Sequence, residues 1–102
     1  MKLRINGNHY AMWCPGCDDL HQIDNTWGFN GNIDSPTFSP SILTWLDPNP
    51  NADPKHDPTG VYRNGRRCHS FIVDGVWQFL SDCTHSLAGQ NIPMVELPEY
   101  LQ

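Results

Sequence analysis

The sequence predicts a small, mainly β domain of the α+β kind, a compact unit of short antiparallel strands and hairpins. Three observations carry that reading. Eight Gly and nine Pro punctuate 102 residues, too often for long helices. Asn6-Gly7 and Asp74-Gly75 each stand between short strand-like runs, the signal of a two-residue hairpin. Four cysteines are present, and a chain of this length buries too little of itself to dispense with a staple.

The elements follow in order. Residues 2–6 and 8–13 are strands about Asn6-Gly7, and the second delivers Trp13 into the tight turn Cys14-Pro15-Gly16-Cys17. Residues 21–23 and 26–29 are further short strands, with Asn30-Gly31 as the next turn. Pro36 and Pro40 hold Thr37-Phe38-Ser39 extended, and 41–46 continues as an apolar strand. Residues 47–60 contain four prolines and no large apolar residue, so they form a surface loop. Residues 67–73 and 76–82 flank Asp74-Gly75. Pairing Val73 with Val76 sets Ile72 opposite Trp77, Ser70 opposite Phe79 and Cys68 opposite Ser81. One face then carries Cys68, Ser70, Ile72, Trp77, Phe79, Ser81 and Cys83. The other carries His69, Phe71, Val73, Val76, Gln78, Leu80 and Asp82, and with both faces partly apolar the hairpin is expected inside the fold. Thr84 and Gly89 are placed to cap and end one helical turn, and 92–97 is a last strand. Trp13, Trp27, Trp45 and Trp77 are expected in the core, which needs large aromatic side chains.

Composition excludes some functions. Six Lys+Arg against eleven Asp+Glu leave a net charge of −5. The only basic cluster, Arg63, Arg66 and Arg67, is too small to neutralise a phosphate backbone, so no nucleic-acid partner is expected. No apolar stretch approaches the roughly 18 residues of a membrane span. The first seven residues hold no apolar signal region, and a cytoplasmic location is expected. In a reducing compartment four Cys read as metal ligands before disulfides.

Cys14 and Cys17 have the two-residue spacing that lets two thiolates grip one tetrahedral ion. Cys68 and Cys83 lie diagonally on one hairpin face, at about 7–8 Å between Cα atoms, long for a disulfide but suited to a shared metal. Cys14, Cys17, Cys68 and Cys83 are therefore the expected zinc site, stapling the N-terminal turn to the central hairpin of a single domain, 1–102. His21, His69 or His85 could replace one sulfur. A redox pair at Cys14/Cys17, or simply buried thiols, are the competing readings.

His69 and Asp82 share the opposite face and a diagonal, an Asp-oriented imidazole of the kind a nucleophilic triad uses. Thr37, Ser39 and Ser41 lie on one side of the extended segment. Ser39, constrained between prolines, is the expected nucleophile, with His69 or His85 as base and Asp82 as orienter. Ser70 is a rival.

The blocks Cys14-Pro15-Gly16-Cys17…His21, Pro36-Thr37-Phe38-Ser39-Pro40-Ser41, Cys68-His69-Ser70-Phe71-Ile72 and Asp82-Cys83-Thr84-His85-Ser86-Leu87-Ala88-Gly89-Gln90 resemble a small bacterial and phage family, the BubE group. Its members are often mislabelled ammonia monooxygenase, a membrane copper enzyme, and this chain has neither a span nor a plausible redox copper site. The resemblance covers residues 10–97. It implies a zinc-containing fold and, in relatives that accompany ubiquitin-like conjugation operons, a serine-type peptidase acting on a ubiquitin-like protein's C-terminus. On that reading Cys14, Cys17, Cys68 and Cys83 match metal-type positions, and Ser39, His69 and His85 match polar positions. The partner would be a protein or peptide substrate in the bacterial host cytoplasm. The alternative is a non-enzymatic phage accessory or virion protein whose zinc is purely structural.

Overall fold

Residues 1–102 are described by a computed structural model that contains two antiparallel meanders. Strands β1 (Arg4–Asn6), β2 (His9–Cys14) and β3 (Asp19–Asp24) form a three-stranded sheet in that order. Strands β4 (Gly28–Phe29), β5 (Phe38–Leu46), β6 (Arg66–Val73), β7 (Val76–Phe79) and β8 (Asn91–Pro93) form a five-stranded sheet, again in chain order. Neighbours in sequence are neighbours in space within each sheet, as is usual for consecutive strands. At the β6–β7 hairpin Asp74 and Gly75 both have positive φ, 50° and 75°, as a turn matched to the strand twist requires. In the first hairpin Asn6 pairs with His9, so the turn residues are Gly7 and Asn8, one position beyond the expected pair.

The sheets enclose one core. Leu3, Met12 and Ile23 from the N-terminal part meet Phe38, Ile42, Ile72, Trp77 and Phe79 from the larger sheet, with Met94 added by the C-terminal segment. Trp77 and Phe79 leave β7 on the same face with ring centroids 5.3 Å apart. Tyr10, Phe29 and Phe38 form a second aromatic group at the β4 edge. No helix is long and apolar enough to cross a membrane.

Several expectations need correction. The register Ile72–Trp77 and Ser70–Phe79 is present, but β7 ends at Phe79, so Cys68 does not pair with Ser81. The outer face of the hairpin is open: Phe71 is exposed and His69 is half-buried, because no second layer covers that side. Of the four tryptophans only Trp77 is fully buried, and Trp45 is 64% exposed on the outer face of β5. Residues 84–89 are turns and bends, not a helical turn, and the last strand is confined to Asn91–Pro93.

The proline-rich excursion contains a 3-10 helix at Pro54–His56 and leads into the single-turn helix α1 (Val61–Asn64). Asp57 is buried there and accepts hydrogen bonds from the backbone N–H groups of Tyr62 and Arg63, at 3.1 and 3.0 Å. Burial pushes its pKa up, and those donors more than offset this, holding the carboxyl below the usual range.

Trp77 is the largest fully buried side chain. Trp77→Ala is expected to destabilise the fold by about 3–5 kcal/mol, measured as a lower midpoint in equilibrium urea denaturation.

Candidate active site and metal cluster

Two groups of chemically active side chains occupy opposite faces of β6. On the outer face His69 stands between Asp82 and Ser41. His69 Nδ1 lies 3.3 Å from Asp82 Oδ2, and Nε2 lies 3.2 Å from Ser41 Oγ. An ionised carboxylate only accepts, so Nδ1 carries the proton and donates to Asp82, leaving Nε2 to accept from the Ser41 hydroxyl. That is the arrangement of a serine–histidine–aspartate triad, which geometry and not chain order defines. Arg67 Nη1 stands 3.7 Å from the same Asp82 oxygen, an exposed pair of small energetic weight.

Local structure explains why Ser41 is the serine that arrives. Phe38 pairs with Ile72 and Ile42 with Ser70, so three residues of β5, Ser39 to Ser41, stand opposite Phe71 alone. This bulge, larger than the usual two-against-one kind, re-aims the segment. Ser39 pairs with Gly28, and its hydroxyl packs against that glycine's backbone so closely that a Cβ at Gly28 would come within 2.9 Å of it. Ser39 therefore faces β4, while Ser41 turns toward His69. Ser70 is fully buried on the inner face, on the other side of the sheet from His69. Asp82 reaches His69 from a turn, not from a continuing strand: Leu80 N–H donates to the His69 carbonyl, and Cys83 N–H closes back on the Leu80 carbonyl.

On the inner face Cys14, Cys17, His21 and Cys68 bring their ligand atoms within 4.8 Å of one another. Cys14 and Cys17 come from the β2–β3 turn, where Cys17 N–H donates to Cys14 Sγ at 3.3 Å. Met12 pairs with His21 and Cys14 with Asp19, so Cys14 and His21 lie on one face. Cys68 comes from β6, its Sγ 3.9 Å from that of Cys14. His21 is thus the fourth member of the group. Cys83 groups instead with Cys68 and His85, whose ligand atoms also lie within 4.8 Å of one another, while its Sγ sits 3.2 Å from the His69 carbonyl oxygen. All four cysteines are free.

The donor chemistry fits a cation. Cys14 is held far below the ordinary thiol value by hydrogen bonds from Cys17 and Cys68. Cys17 is pushed up to about 12 by its hydrogen bond to Cys14, and Cys68 is raised further for the same reason. Three crowded sulfurs, two buried and one half-buried, cannot all ionise without a cation, and a divalent ion would offset most of the charge of three thiolates. The cluster could hold a metal ion. His85 flanks it, with Nε2 3.5 Å from Cys68 Sγ. Leu87 N–H donates to His85 Nδ1, so Nε2 bears the proton and points it at the sulfur. The ring lies so close to the turn that a Cβ on Gly16 would fall 2.3 Å from His85 Cε1. Only glycine fits there.

The largest cavity, about 550 Å³, is lined by Cys17, Gly60, Asn64, Arg66, Thr84 and His85 among others. It borders the metal cluster and not the triad. His69 and Asp82 side chains are instead 29% and 42% exposed on an open sheet surface beside exposed Leu43, Trp45 and Phe71.

Ser41 and His21 are the residues that sequence reasoning ranked below Ser39 and Cys83. The signal for His21 was present in the hairpin register that pairs it beside Cys14. The local signal for the bulge that selects Ser41 is Pro40, because a proline within a sheet is confined to edges and bulges.

A family model described as "Bacterial ubiquitination-like system serine protease (BubE)" matches residues 2–80. Comparison with curated proteins and with solved structures finds no match.

Cobalt(II) added to the reduced protein is expected to give thiolate charge-transfer absorption and tetrahedral d–d bands. His21→Ala should alter that spectrum by changing the ligand set. His85→Ala should preserve it while weakening metal affinity about 10–100-fold, the usual effect of removing a ligand's supporting partner, as read by chelator competition.

Proposed function

The chain belongs to the BubE family of bacterial ubiquitination-like system serine proteases, and we propose that it is itself a serine peptidase whose nucleophile is Ser41. The observation that carries this reading is the unbroken hydrogen-bonded series from Ser41 Oγ through both nitrogens of His69 to Asp82.

In the reaction Ser41 Oγ attacks the scissile carbonyl carbon while its proton passes to His69 Nε2. Asp82 holds the imidazole in the tautomer that can accept this proton, and stabilises the imidazolium that results. His69 then returns the proton to the departing amine as the C–N bond breaks, leaving an ester on Ser41. Water, deprotonated by His69, cleaves that ester, and the proton goes back to Ser41.

The substrate class follows from the surface. A small molecule is normally enclosed in a cavity, and the cavity here lies away from the triad. An open sheet face bordered by Leu43, Trp45 and Phe71 suits an extended polypeptide with apolar side chains near the scissile bond. We take the substrate to be the C-terminal segment of a ubiquitin-like protein, or a conjugate made through it, in the bacterial cytoplasm. Four free thiols accord with such a reducing compartment.

Zinc is the metal that best suits three thiolates and one imidazole. Cys14, Cys17, His21 and Cys68 would hold it, and four protein ligands leave no open position for substrate. When bound it supplies a cross-link between the two sheets.

Ser41→Ala is expected to abolish both peptide cleavage and labelling by a fluorophosphonate probe, while Ser39→Ala retains both. Asp82→Asn should lower kcat by about 10⁴-fold with the fold intact by circular dichroism. A Ser41→Ala protein that still cleaves would overturn the assignment.

A further inference from the structure

Cys83 lies outside the four-residue metal group and the triad, and its Sγ comes within 4.8 Å of the ligand atoms of Cys68 and His85; it is 8% exposed and makes two contacts to one residue. Its Sγ accepts the His69 backbone N–H at 3.3 Å and lies 3.2 Å from the His69 carbonyl oxygen, to which the thiol donates. We propose that this thiol is a positioning group for the triad: it grips the His69 backbone at both polar atoms and so holds the imidazole between Ser41 and Asp82. The proposal rests on the serine-peptidase reading.

The hairpin register explains why a side chain is needed at that point. In an antiparallel pair, alternate residue pairs exchange both of their backbone hydrogen bonds. Counting back from Val73–Val76 and Phe71–Gln78, the next such pair is His69–Leu80. Half of it forms, with Leu80 N–H donating to the His69 carbonyl at 2.9 Å. The other half does not, because the Leu80 carbonyl has turned away to accept Cys83 N–H at 3.2 Å and Gly89 N–H at 3.3 Å. The His69 N–H would be an orphaned donor, and Cys83 Sγ takes it.

The turn is thereby anchored at both ends on His69, through Leu80 N–H and Cys83 Sγ. Between these anchors the chain projects Asp82, whose carboxylate meets the imidazole of the same residue. Backbone and side chain of His69 are thus fixed by consecutive residues of one turn. Thr84 extends the attachment: its N–H donates to the Arg67 carbonyl, and its hydroxyl accepts the Arg67 N–H at 3.0 Å. A catalytic imidazole must be held to within about 0.5 Å, and a misplacement of about 1 Å can reduce the rate about 100-fold. Sulfur suits this role because it both donates and accepts weakly and stands further from its Cβ than a hydroxyl oxygen.

The test uses the full chain carrying Cys83→Ala and Cys83→Ser. Cys83→Ala is expected to lower kcat about 10–100-fold with KM and bound metal per chain unchanged, and to speed hydrogen exchange at the His69 amide. The His69 ring proton bonded to Asp82 should shift or broaden in the proton NMR spectrum. Cys83→Ser should restore part of kcat. If Cys83→Ala does not fold, Cys83→Val fills similar volume without the hydrogen bonds and carries the same expectations. Wild-type kcat in the folded alanine or valine variant overturns the proposal, and so does loss of bound metal, which would make Cys83 a ligand. Turnover by Ser41→Ala would instead fail the peptidase reading. The clamp is then judged on the His69 resonances alone, and spectra unchanged by Cys83→Ala overturn it.

Discussion

Side-chain alternation along β6 is the constraint on which the rest of this molecule depends. Adjacent residues of a strand point to opposite faces, so Cys68 and His69 are consecutive in the chain but join different side-chain groups. Cys68 faces inward to Cys14, Cys17 and His21, and His69 faces outward to Ser41 and Asp82. β6 lies at the centre of its sheet, with β5 on one side and β7 on the other. Both neighbours hold it in register, so any slip by one residue would exchange the two faces and abolish both groups together. The metal cluster and the triad are coupled through the backbone of a single strand, without sharing a side chain.

Each flanking strand departs from regularity where it meets the triad. On the β5 side two extra residues enter the ladder between Phe38 and Ile42, and the bulge turns Ser41 toward the imidazole. On the β7 side the ladder stops at Phe79, and a turn carries Asp82 back across His69. Both departures leave backbone groups to be satisfied in other ways, and the fold does so locally. Irregularity where side chains converge in an otherwise regular sheet is expected, because a flat ladder presents its side chains in rows.

The segment from Asp82 to His85 joins these parts. Asp82 meets the His69 ring, Cys83 the His69 backbone, Thr84 the Arg67 backbone and His85 the Cys68 sulfur. Four successive residues therefore touch three successive residues of β6 from both faces. On the cluster side of this strap the His85 ring packs tightly against Gly16, and the largest cavity opens beside it. The triad side is open, which accords with a macromolecular substrate.

Much of this architecture was legible in the chain alone. Asp74-Gly75 can only be a tight turn, and a two-residue turn determines which residues of the following strands share a face. From that local rule follow the inward Cys68, the outward His69 and the proximity of Asp82 to it. Cys14-Pro15-Gly16-Cys17 likewise announces a metal-type turn by spacing. What tertiary structure alone decided is which serine and which fourth ligand complete the two groups. That Ser41 and not Ser39 meets His69, and that His21 joins Cys14, Cys17 and Cys68 while Cys83 groups with Cys68 and His85, depends on where a ladder breaks, and a ladder breaks where other backbone groups compete for the same hydrogen bonds. Gly28 claims Ser39, and Gly89 helps draw the Leu80 carbonyl from its partner. Pro40 hints locally at the bulge, but which side chain each break delivers depends on partners in other strands and turns.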